Sequence, residues 1–275
     1  MKNILITGMS GLIGGLLKNK LQEIGEYKLT ALNRTKVDGV NNFQADIRNL
    51  ENIMPAFKHQ DIVVHLSAYL ENDEWLGNLN TNIIGTYNVF EAARLSGVQR
   101  IIFASSGNAI RGFSDIEPYK SIAEGRYKEV PENYKKITHE QVRPQKIYGA
   151  TKVWGEALGR HFSDAYDISV ICLRIGAVRP ENKPANTHEY STYLSHNDVT
   201  DALYKCIEAP KDLKYDVLFA LSNNKWGYRD LTHTKESIGF EPSDSADNHI
   251  VNSVSYTHLR AHETRHDLVC RLLLE

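Results

Sequence analysis

The sequence predicts an α/β fold, a doubly wound parallel sheet with helices on both faces. Two observations support this prediction. A glycine-rich turn joins a short apolar run, Ile4 to Ile6, to a segment of helical periodicity over Leu12–Ile24. Further apolar runs then alternate with helical patterns as far as residue 220, and strands that alternate with helices favour a parallel sheet.

The composition is that of a globular protein with one large domain. The chain has 275 residues, of which 41% are hydrophobic and 24% charged. The net charge of −2, with no charged block, indicates neither a nucleic acid nor a membrane surface as partner. The chain enters a strand at once, so we expect no signal peptide. Three cysteines without a C-x-x-C pair favour a reduced, cytoplasmic protein with no zinc or other metal site.

The last residues, 253–275, resemble the translation of a sequencing-library adapter. We therefore predict that this segment is not native and that part of the native C-terminus is missing. Its three histidines, His258, His262 and His266, lie four residues apart and would otherwise suggest a metal-binding helix face.

The glycine-rich turn has the spacing G-x-x-G-x-x-G at Gly8, Gly11 and Gly14. The first glycine permits a sharp turn, the second lets the backbone approach a pyrophosphate, and the third lets the helix pack closely on the strand. Phosphates then lie at the helix N-terminus, where free N–H groups and the helix dipole favour an anion. This motif, between a strand and a helix, predicts a Rossmann-like dinucleotide site.

The second strand, Lys28 to Leu32, ends at Asn33 and Arg34, where a ribose-binding acidic residue would favour NAD. An amide followed by a guanidinium suits a 2′-phosphate better, so the sequence favours NADP over NAD. The alternative is a solvated Arg34 without a phosphate contact. Asp46 has two possible roles, contact with adenine or capping of the helix that begins near Leu50.

We place the remaining strands at 44–47, 61–65, 100–104, 168–174 and 216–220, and further helices at 79–96, 195–208 and 229–238. Small residues, Ser67 and Ala68, follow the fourth strand and would let a flat cofactor lie close. Ligands bind at the C-terminal ends of such strands.

Tyr148 and Lys152 carry the predicted chemistry. At a spacing of four on a helix they project from one face. A phenol is a poor base at neutral pH, and we expect the nearby ammonium to lower its pKa. Ser106, at the end of a neighbouring strand, can hydrogen-bond the reacting oxygen. In this interpretation the tyrosine acts as acid and base, the lysine lowers the tyrosine pKa, and the serine polarises the reacting oxygen. Together they form a hydride-transfer site beside a nicotinamide.

With these motifs the chain resembles an extended short-chain dehydrogenase/reductase of the NAD-dependent epimerase/dehydratase superfamily. The resemblance implies Ser106, Tyr148 and Lys152 as the catalytic set, with Lys152 also holding the nicotinamide ribose. It implies cofactor contacts from the following residues: Gly8, Gly11, Leu12, Ile13, Gly14, Arg34, Asp46, Ile47, Leu66, Ser67, Ala68, Lys152 and Ile175. It also implies a homodimer, packed through the helices around 79–96 and 149–166.

Segments 82–88, 103–106, 173–176 and 192–198 look most like uronate dehydrogenases and a related sugar-phosphate dehydrogenase, which oxidise an anomeric carbon to a lactone. The substrate pattern departs from uronate dehydrogenases at three points. Gly107 and Asn108 replace their Asn-His, Ala177 replaces a serine, and His188 replaces the carboxylate-binding arginine. With Leu70, these four residues are the candidate substrate contacts.

The sequence therefore predicts an NAD(P)-dependent oxidoreductase that takes hydride from a hydroxyl of a small sugar, sugar acid or sugar phosphate. One alternative is a sugar-nucleotide epimerase with tightly bound NAD. Against it, only about 100 residues separate Lys152 from the adapter-like tail, which is short for the C-terminal lobe that holds a nucleotide diphosphate in such epimerases. Gly107 and Asn108 stand where sugar-nucleotide dehydratases of the superfamily usually carry Asp-Glu, which argues against a dehydratase. Another alternative is a non-catalytic NADP-sensing protein.

The domain prediction is a cofactor-binding domain over 1–180 and a small substrate cap over 181–252, with one strand of the cap returning to the sheet. The long connection between the catalytic serine and tyrosine, 107–146, has two interpretations. It is either a flap over the substrate, whose cations meet a phosphate or carboxylate, or a solvated excursion.

Overall fold

The computed structural model describes residues 1–249. The predicted non-native segment 253–275, with its three histidines, lies outside the described residues. Seven parallel strands form one sheet in the order β3-β2-β1-β4-β5-β6-β7. This sheet confirms the predicted α/β, Rossmann-like fold. The strands are β1 (Lys2–Thr7), β2 (Tyr27–Asn33), β3 (Asn41–Gln44), β4 (Ile62–His65), β5 (Arg100–Ser106), β6 (Ser169–Ile175) and β7 (Tyr215–Ala220).

Helices cover both faces of the sheet and follow the predicted alternation. The α-helices are α1 (Leu12–Ile24), α2 (Leu50–Ile53), α3 (Trp75–Gly77), α4 (Thr86–Leu95), α5 (Tyr119–Ala123), α6 (Ile147–Tyr166), α7 (His196–Ile207) and α8 (Thr232–Ile238). Within the described part of the chain, no helix is long and apolar enough to cross a membrane.

Apolar side chains pack on the two faces of the sheet as separate clusters. Leu17 of α1 and Leu203 of α7 belong to one cluster, whereas Phe90 of α4 and Phe162 of α6 belong to the other. All four are almost completely buried. Removing a leucine or phenylalanine side chain of this size from water stabilises the fold by about 1.5–3 kcal/mol. The sheet is therefore held from both sides, and its C-terminal edge forms a rigid floor for the site.

The third strand departs from the prediction of 44–47. It spans Asn41–Gln44 at the edge of the sheet, and Ala45 begins the loop that follows. This strand lies at the edge of the sheet and is built from polar, partly exposed residues. The apolar pattern by which a strand is predicted is therefore weak in it. The β5 strand also extends further than predicted and includes Ser106 itself.

The predicted helix over 79–96 contains a wider turn. Residues Asn78–Gly85 form a π-helix that continues directly into α4. The buried Asn82 lies within it, where its Oδ1 accepts from the Tyr69 amide at 2.7 Å and its Nδ2 donates to the Tyr69 carbonyl at 2.8 Å. The π-turn thus presents Asn82 to the loop after β4 and fixes that loop against the sheet.

The region after residue 180 contributes to the same sheet. Its strand β7 pairs in parallel with β6, and α7 packs on α1. Ser195 caps α7, since its Oγ accepts from the Asp198 amide at 3.0 Å. The division into domains at residue 180 stays a prediction.

The connection over 107–146 is packed on the rest of the molecule. Ile110, Ile122 and Ile137 form an apolar cluster with Phe219 and Tyr228 of the C-terminal region. Several of its cations are used internally, as when Arg126 pairs with three neighbouring glutamates of the same segment. A buried cluster of this kind argues against the solvated-excursion interpretation.

Candidate active site

A groove of about 470 Å³ lies at the C-terminal ends of β1, β2 and β4. Its lining includes nine of the predicted cofactor residues: Gly8, Gly11, Asn33, Arg34, Asp46, Ile47, Leu66, Ser67 and Ala68. Of the other predicted cofactor residues, Leu12, Ile13 and Gly14 form the first turn of α1, Lys152 lies on α6, and Ile175 lines a neighbouring cavity. We call this groove the nucleotide groove.

The glycine turn beneath the groove requires glycine at two of its three positions. Gly8 has φ +72°, and a Cβ there would lie 2.8 Å from the Ser67 amide nitrogen. A Cβ on Gly14 would lie 2.9 Å from the Met9 carbonyl carbon. Gly11 is extended and immediately precedes α1, so the amides of the first helical turn face the groove edge. The backbone geometry therefore suits an anion at this helix N-terminus.

At the far end of the groove, Asn33 carries a buried amide nitrogen, Nδ2, that has no hydrogen-bond partner within residues 1–249. An unpaired buried donor costs about 1–3 kcal/mol, which a bound acceptor would remove. The exposed Arg34 follows it on the same groove wall. These residues fit a dinucleotide, whose ribose or phosphate would supply the acceptor.

Asp46 does not cap the helix that follows it, which corrects one of its two predicted roles. Asn49 caps α2 instead, because its side-chain oxygen accepts from the Asn52 amide at 3.0 Å. Asp46 pairs with Arg48 through two hydrogen bonds of 2.9 and 2.7 Å, and this pairing lowers the pKa of the Asp46 carboxyl. Its place on the groove wall keeps the adenine role available.

The turn after β4 is fixed by a chain of buried hydrogen bonds. The Ser67 amide donates to Thr7 Oγ1 at 3.1 Å, and Thr7 Oγ1 lies 2.7 Å from His65 Nδ1. Burial lowers the pKa of His65 to about 3, so this histidine is neutral. Leu70, at the end of the same turn, is exposed and lines the nucleotide groove. Its assignment to the substrate stays a prediction.

Ser106 and Tyr148 meet beside the groove. Ser106 is the last residue of β5, and Tyr148 lies in the first turn of α6. Burial raises the pKa of Tyr148 to about 12, and the nearby Ser106 hydroxyl opposes this rise. The expectation of a lowered tyrosine pKa is therefore wrong, because desolvation outweighs the other effects.

Lys152 follows one turn after Tyr148 and is almost completely buried. Its Nζ donates to the Ala104 carbonyl at 2.8 Å and lies 5.4 Å from the centre of the Tyr148 ring. Burial lowers the pKa of Lys152 to about 8, whereas the negative charge of Glu156 opposes this change. The ammonium is thus held near the phenol in a state from which it can lose its proton within the physiological range of pH.

A buried ion pair that the sequence analysis missed supports α6, the helix that carries Tyr148 and Lys152. Arg174 of β6 donates to both carboxylate oxygens of Glu156 at 2.8 Å, and Ser105 Oγ donates to Glu156 at 2.5 Å. Arg174 Nη1 also donates to the carbonyls of His139 and Gln141, at 3.0 and 2.9 Å. One arginine therefore ties α6 and β6 to the connection over 107–146. In the sequence, the spacing of four residues between Lys152 and Glu156 was the signal that could have indicated Glu156 as part of the site.

A second cavity, of about 410 Å³, begins at Ser106 and extends away from the nucleotide groove. We call it the substrate cavity. Its lining includes four of the predicted substrate residues, Gly107, Asn108, Ala177 and His188. Residues that the sequence analysis did not assign complete the polar part of the lining: Asn72, Arg111, Gln145, Lys146, Arg174, Arg179, Asn186, Glu189, Thr192 and Arg229.

His188 is partly buried on the wall of the substrate cavity. Burial, together with the positive charges of Arg111 and Arg229, lowers the pKa of His188 to about 4. The imidazole is therefore neutral at pH 7 and attracts an anion only as a hydrogen-bond donor. By contrast, His196 lies outside the cavity lining, and its Nε2 contacts the Arg179 carbonyl at 2.7 Å.

Comparison with known proteins gives one consistent result. The model of the NAD dependent epimerase/dehydratase family matches residues 4–197. Uronate dehydrogenase of Agrobacterium fabrum is 31% identical over 250 residues, which cover 90% of this chain and 86% of that protein. L-arabinose 1-dehydrogenase (NAD(P)(+)) of Haloferax volcanii is 29% identical over 259 residues, which cover 90% and 98%.

A solved structure supports the same assignment. A mutant uronate dehydrogenase from Agrobacterium tumefaciens, complexed with NAD, aligns with a TM-score of 0.75 and 28% identity. The alignment covers 92% of this chain and 89% of that one.

Proposed function

The chain belongs to the NAD dependent epimerase/dehydratase family, and from this premise we propose that it is an NAD(P)-dependent dehydrogenase of the extended short-chain type. Its substrate is a small sugar, sugar acid or sugar phosphate, and the reaction removes hydride from a hydroxyl-bearing carbon. The dehydrogenase relatives, whose lengths this chain matches almost fully, support this proposal more strongly than the epimerase alternative.

The grouping of Ser106, Tyr148 and Lys152 is the observation that carries the proposal. Ser106 lines the substrate cavity, its hydroxyl acts on the Tyr148 phenol, and Lys152 Nζ lies 5.4 Å from the centre of the Tyr148 ring. A phenol hydroxyl, a serine hydroxyl and an ammonium grouped in this way can move one proton while a hydride leaves the same substrate.

The residues divide the work as follows. When bound, the nicotinamide supplies the hydride acceptor. Tyr148 takes the proton of the substrate hydroxyl, so that the C–H and O–H bonds break and a C=O bond forms. Ser106 donates a hydrogen bond to the oxygen on which negative charge develops. Lys152 stabilises the phenolate by its positive charge, which offsets the desolvation that raises the pKa of Tyr148 to about 12.

For the cofactor, we propose NADP or NAD, with NADP favoured. Arg34 lies on the groove wall next to the unpaired amide of Asn33, and a guanidinium there suits a 2′-phosphate. The neighbouring Arg48 is already occupied by Asp46. Arg34 is therefore the cation at this end of the groove on which the phosphate contact depends.

We further propose a cytoplasmic homodimer. The π-helix Asn78–Gly85, α4 and α6 carry large, exposed apolar residues that a partner would cover: Ile84, Tyr87, Leu95 and Tyr166. Cys172 and Cys206 are both free and buried, which suits a reducing compartment. The proposed ligands are small molecules, without nucleic acid or membrane.

The proposal is tested by reduced-nicotinamide absorbance. The full-length chain is mixed with NAD⁺ or NADP⁺ and offered neutral aldoses, uronates and sugar phosphates, and we expect absorbance to grow with at least one substrate. Tyr148→Phe should lower kcat by about 10²- to 10⁴-fold, because it removes the proton acceptor. Tyr166→Phe, at the exposed end of the same helix, is the control and should leave kcat unchanged.

Two results would contradict the proposal. The mechanism is wrong if the Tyr148→Phe variant retains most of its turnover. Conversion of a sugar nucleotide to its epimer, with cofactor bound and unconsumed, would identify the chain as an epimerase instead.

A further inference from the structure

Arg229 lies in the loop between β7 and α8 and points into the substrate cavity. Its backbone is fixed by the connection over 107–146, because the Ile137 amide donates to the Tyr228 carbonyl at 2.8 Å and the Asp230 amide donates to the Ile137 carbonyl at 2.9 Å. Only 4% of the residue is exposed. Two segments of the chain thus hold a buried cation at one defined place.

The guanidinium of Arg229 is poorly satisfied. Its Nη1 and Nη2 reach the Ser191 carbonyl and the Tyr228 hydroxyl only at 3.4 Å, and its Nε has no partner in the part of the chain that the structure describes. Among residues 1–249, no carboxylate lies within 4.0 Å of it. The Arg229 Cζ also lies 4.4 Å from the centre of the Tyr228 ring, a cation–π contact. A buried charge without a carboxylate partner is costly, so its retention at the wall of a cavity points to a ligand.

The other cations of the substrate cavity are mostly used already. Arg174 pairs with Glu156, Arg179 pairs with Glu189, and Lys146 pairs with Asp73. Within the described residues only Arg111 and Arg229 of this lining have no carboxylate partner. Both positive charges act on His188, which lies near them and is neutral at pH 7. The cavity therefore carries an uncompensated positive charge where a substrate would lie.

We propose that Arg229 is a specificity-determining residue that binds an anionic group of the sugar substrate, a carboxylate or a phosphate, with Arg111 assisting at the exposed side of the cavity. This inference rests on the proposed dehydrogenase function. It gives Arg229 the role that uronate dehydrogenases give to an arginine at the position of His188. A guanidinium presents parallel N–H donors that match both anions in a bidentate arrangement.

The position of Arg229 relative to the catalytic serine fits this role. A Cβ placed on Gly107, the neighbour of Ser106, would lie 3.9 Å from Arg229 Nη2. The guanidinium is thus close enough to Ser106 for one sugar to contact both.

The experiment measures binding separately from turnover. The full-length protein is saturated with NADH, so that no oxidation occurs, and is titrated calorimetrically with glucuronate, galacturonate, their neutral amides, glucose 6-phosphate and glucose. Wild type, Arg229→Met, Arg229→Lys and the surface control Arg160→Met are compared, with NADH affinity as the check on folding. Arg160 is an exposed residue of α6 that forms an ion pair with Asp164, and its Cζ lies 5.3 Å from the centre of the Tyr215 ring.

We expect at least one anionic sugar to bind the wild type more tightly than its neutral counterpart. Arg229→Met should weaken that anion by about 10- to 100-fold, the value of one charge-assisted contact, and should change the neutral sugars little. Arg229→Lys should restore part of the loss, and Arg160→Met should behave as wild type. Preference for a uronate identifies the carboxylate as the anion, and preference for glucose 6-phosphate identifies the phosphate.

The inference is overturned if no anion binds better than its neutral counterpart, or if Arg229→Met weakens both alike. These outcomes are distinct from failure of the proposed function. If neutral and anionic sugars are oxidised with equal efficiency, the proposed dehydrogenase function stands and the proposed role of Arg229 is wrong. Arginine-dependent binding without any nicotinamide reduction would keep the anion site and remove the dehydrogenase.

Discussion

Arg174 and Arg229 line the same cavity and are similarly buried, at 1% and 4% exposure, and each lies over an aromatic ring, yet their hydrogen bonds differ. Arg174 makes two hydrogen bonds to Glu156 and two to backbone carbonyls. Arg229 makes two hydrogen bonds, both 3.4 Å long and neither to a carboxylate. The difference teaches that burial alone does not distinguish a structural cation from a ligand-binding one, whereas hydrogen-bond satisfaction does.

The largest effect that this comparison predicts is on stability. Arg174→Met leaves Glu156 as an uncompensated buried charge and should lower the free energy of unfolding by about 3–5 kcal/mol. Arg229→Met removes a charge that lacks a partner and should change stability by less than about 1 kcal/mol, or increase it. Urea denaturation of the two variants at pH 7, beside wild type, measures both.

Two outcomes would break the distinction between the arginines. Equal destabilisation by both substitutions would show that Arg229 is a structural cation. Arg174→Met with Glu156→Gln, which removes both charges, should recover part of the stability lost in Arg174→Met alone. If it recovers none, the loss does not come from the buried carboxylate.

The nucleotide half of the site was predictable from sequence because its determinants are local. Gly8, Gly11 and Gly14 lie within seven residues, and the turn and helix start they dictate do not depend on distant residues. The alternation of apolar runs gave the parallel sheet by the same local logic. The cap of α2 shows the limit, because the sequence offers Asp46 for this role and the backbone gives it to Asn49 instead.

The substrate half was predicted incompletely because its residues come from segments far apart in the chain. Arg111, His188 and Arg229 meet only when the connection, the loop after β6 and the loop after β7 fold together. In the sequence Arg229 cannot be distinguished from a surface arginine. The sign of the Tyr148 pKa shift was wrong for a related reason, because it depends on the extent of burial, which the Tyr-x-x-x-Lys spacing does not report.

In hydrogen-bond satisfaction Lys152 is intermediate between the two arginines, because its buried ammonium donates to one backbone carbonyl. The pKa of Lys152 is about 8 in the folded protein, below the ordinary value of 10.5. At a pH below 8 the folded protein therefore keeps this ammonium charged, and the buried charge lowers its stability. Lys152→Met should therefore increase the free energy of unfolding at pH 7 by ~1–3 kcal/mol while it lowers turnover.

The pH dependence checks the sign of this effect. Between pH 8 and 10.5 the unfolded chain binds more protons at Lys152 than the folded protein, so wild-type stability should rise relative to the variant. The advantage of Lys152→Met should then disappear near pH 10.5. Lys214→Met, at an exposed lysine, is the control and should show no such convergence. If the difference in free energy of unfolding between wild type and Lys152→Met stays constant from pH 8 to 10.5, the effect comes from packing and not from charge.

The smallest effect is expected at Arg34, which is exposed and therefore screened by solvent and salt. Arg34→Ala should raise the Michaelis constant for NADP⁺ by about tenfold, near 1.4 kcal/mol, and leave that for NAD⁺ unchanged. Because the contact is an exposed ion pair, the difference should shrink as ionic strength rises. Lys36→Ala, two residues along, is the matched control. Equal Michaelis constants for NADP⁺ in wild type and Arg34→Ala would show that Arg34 is solvated. Other residues of the groove would then determine the preference between NADP and NAD.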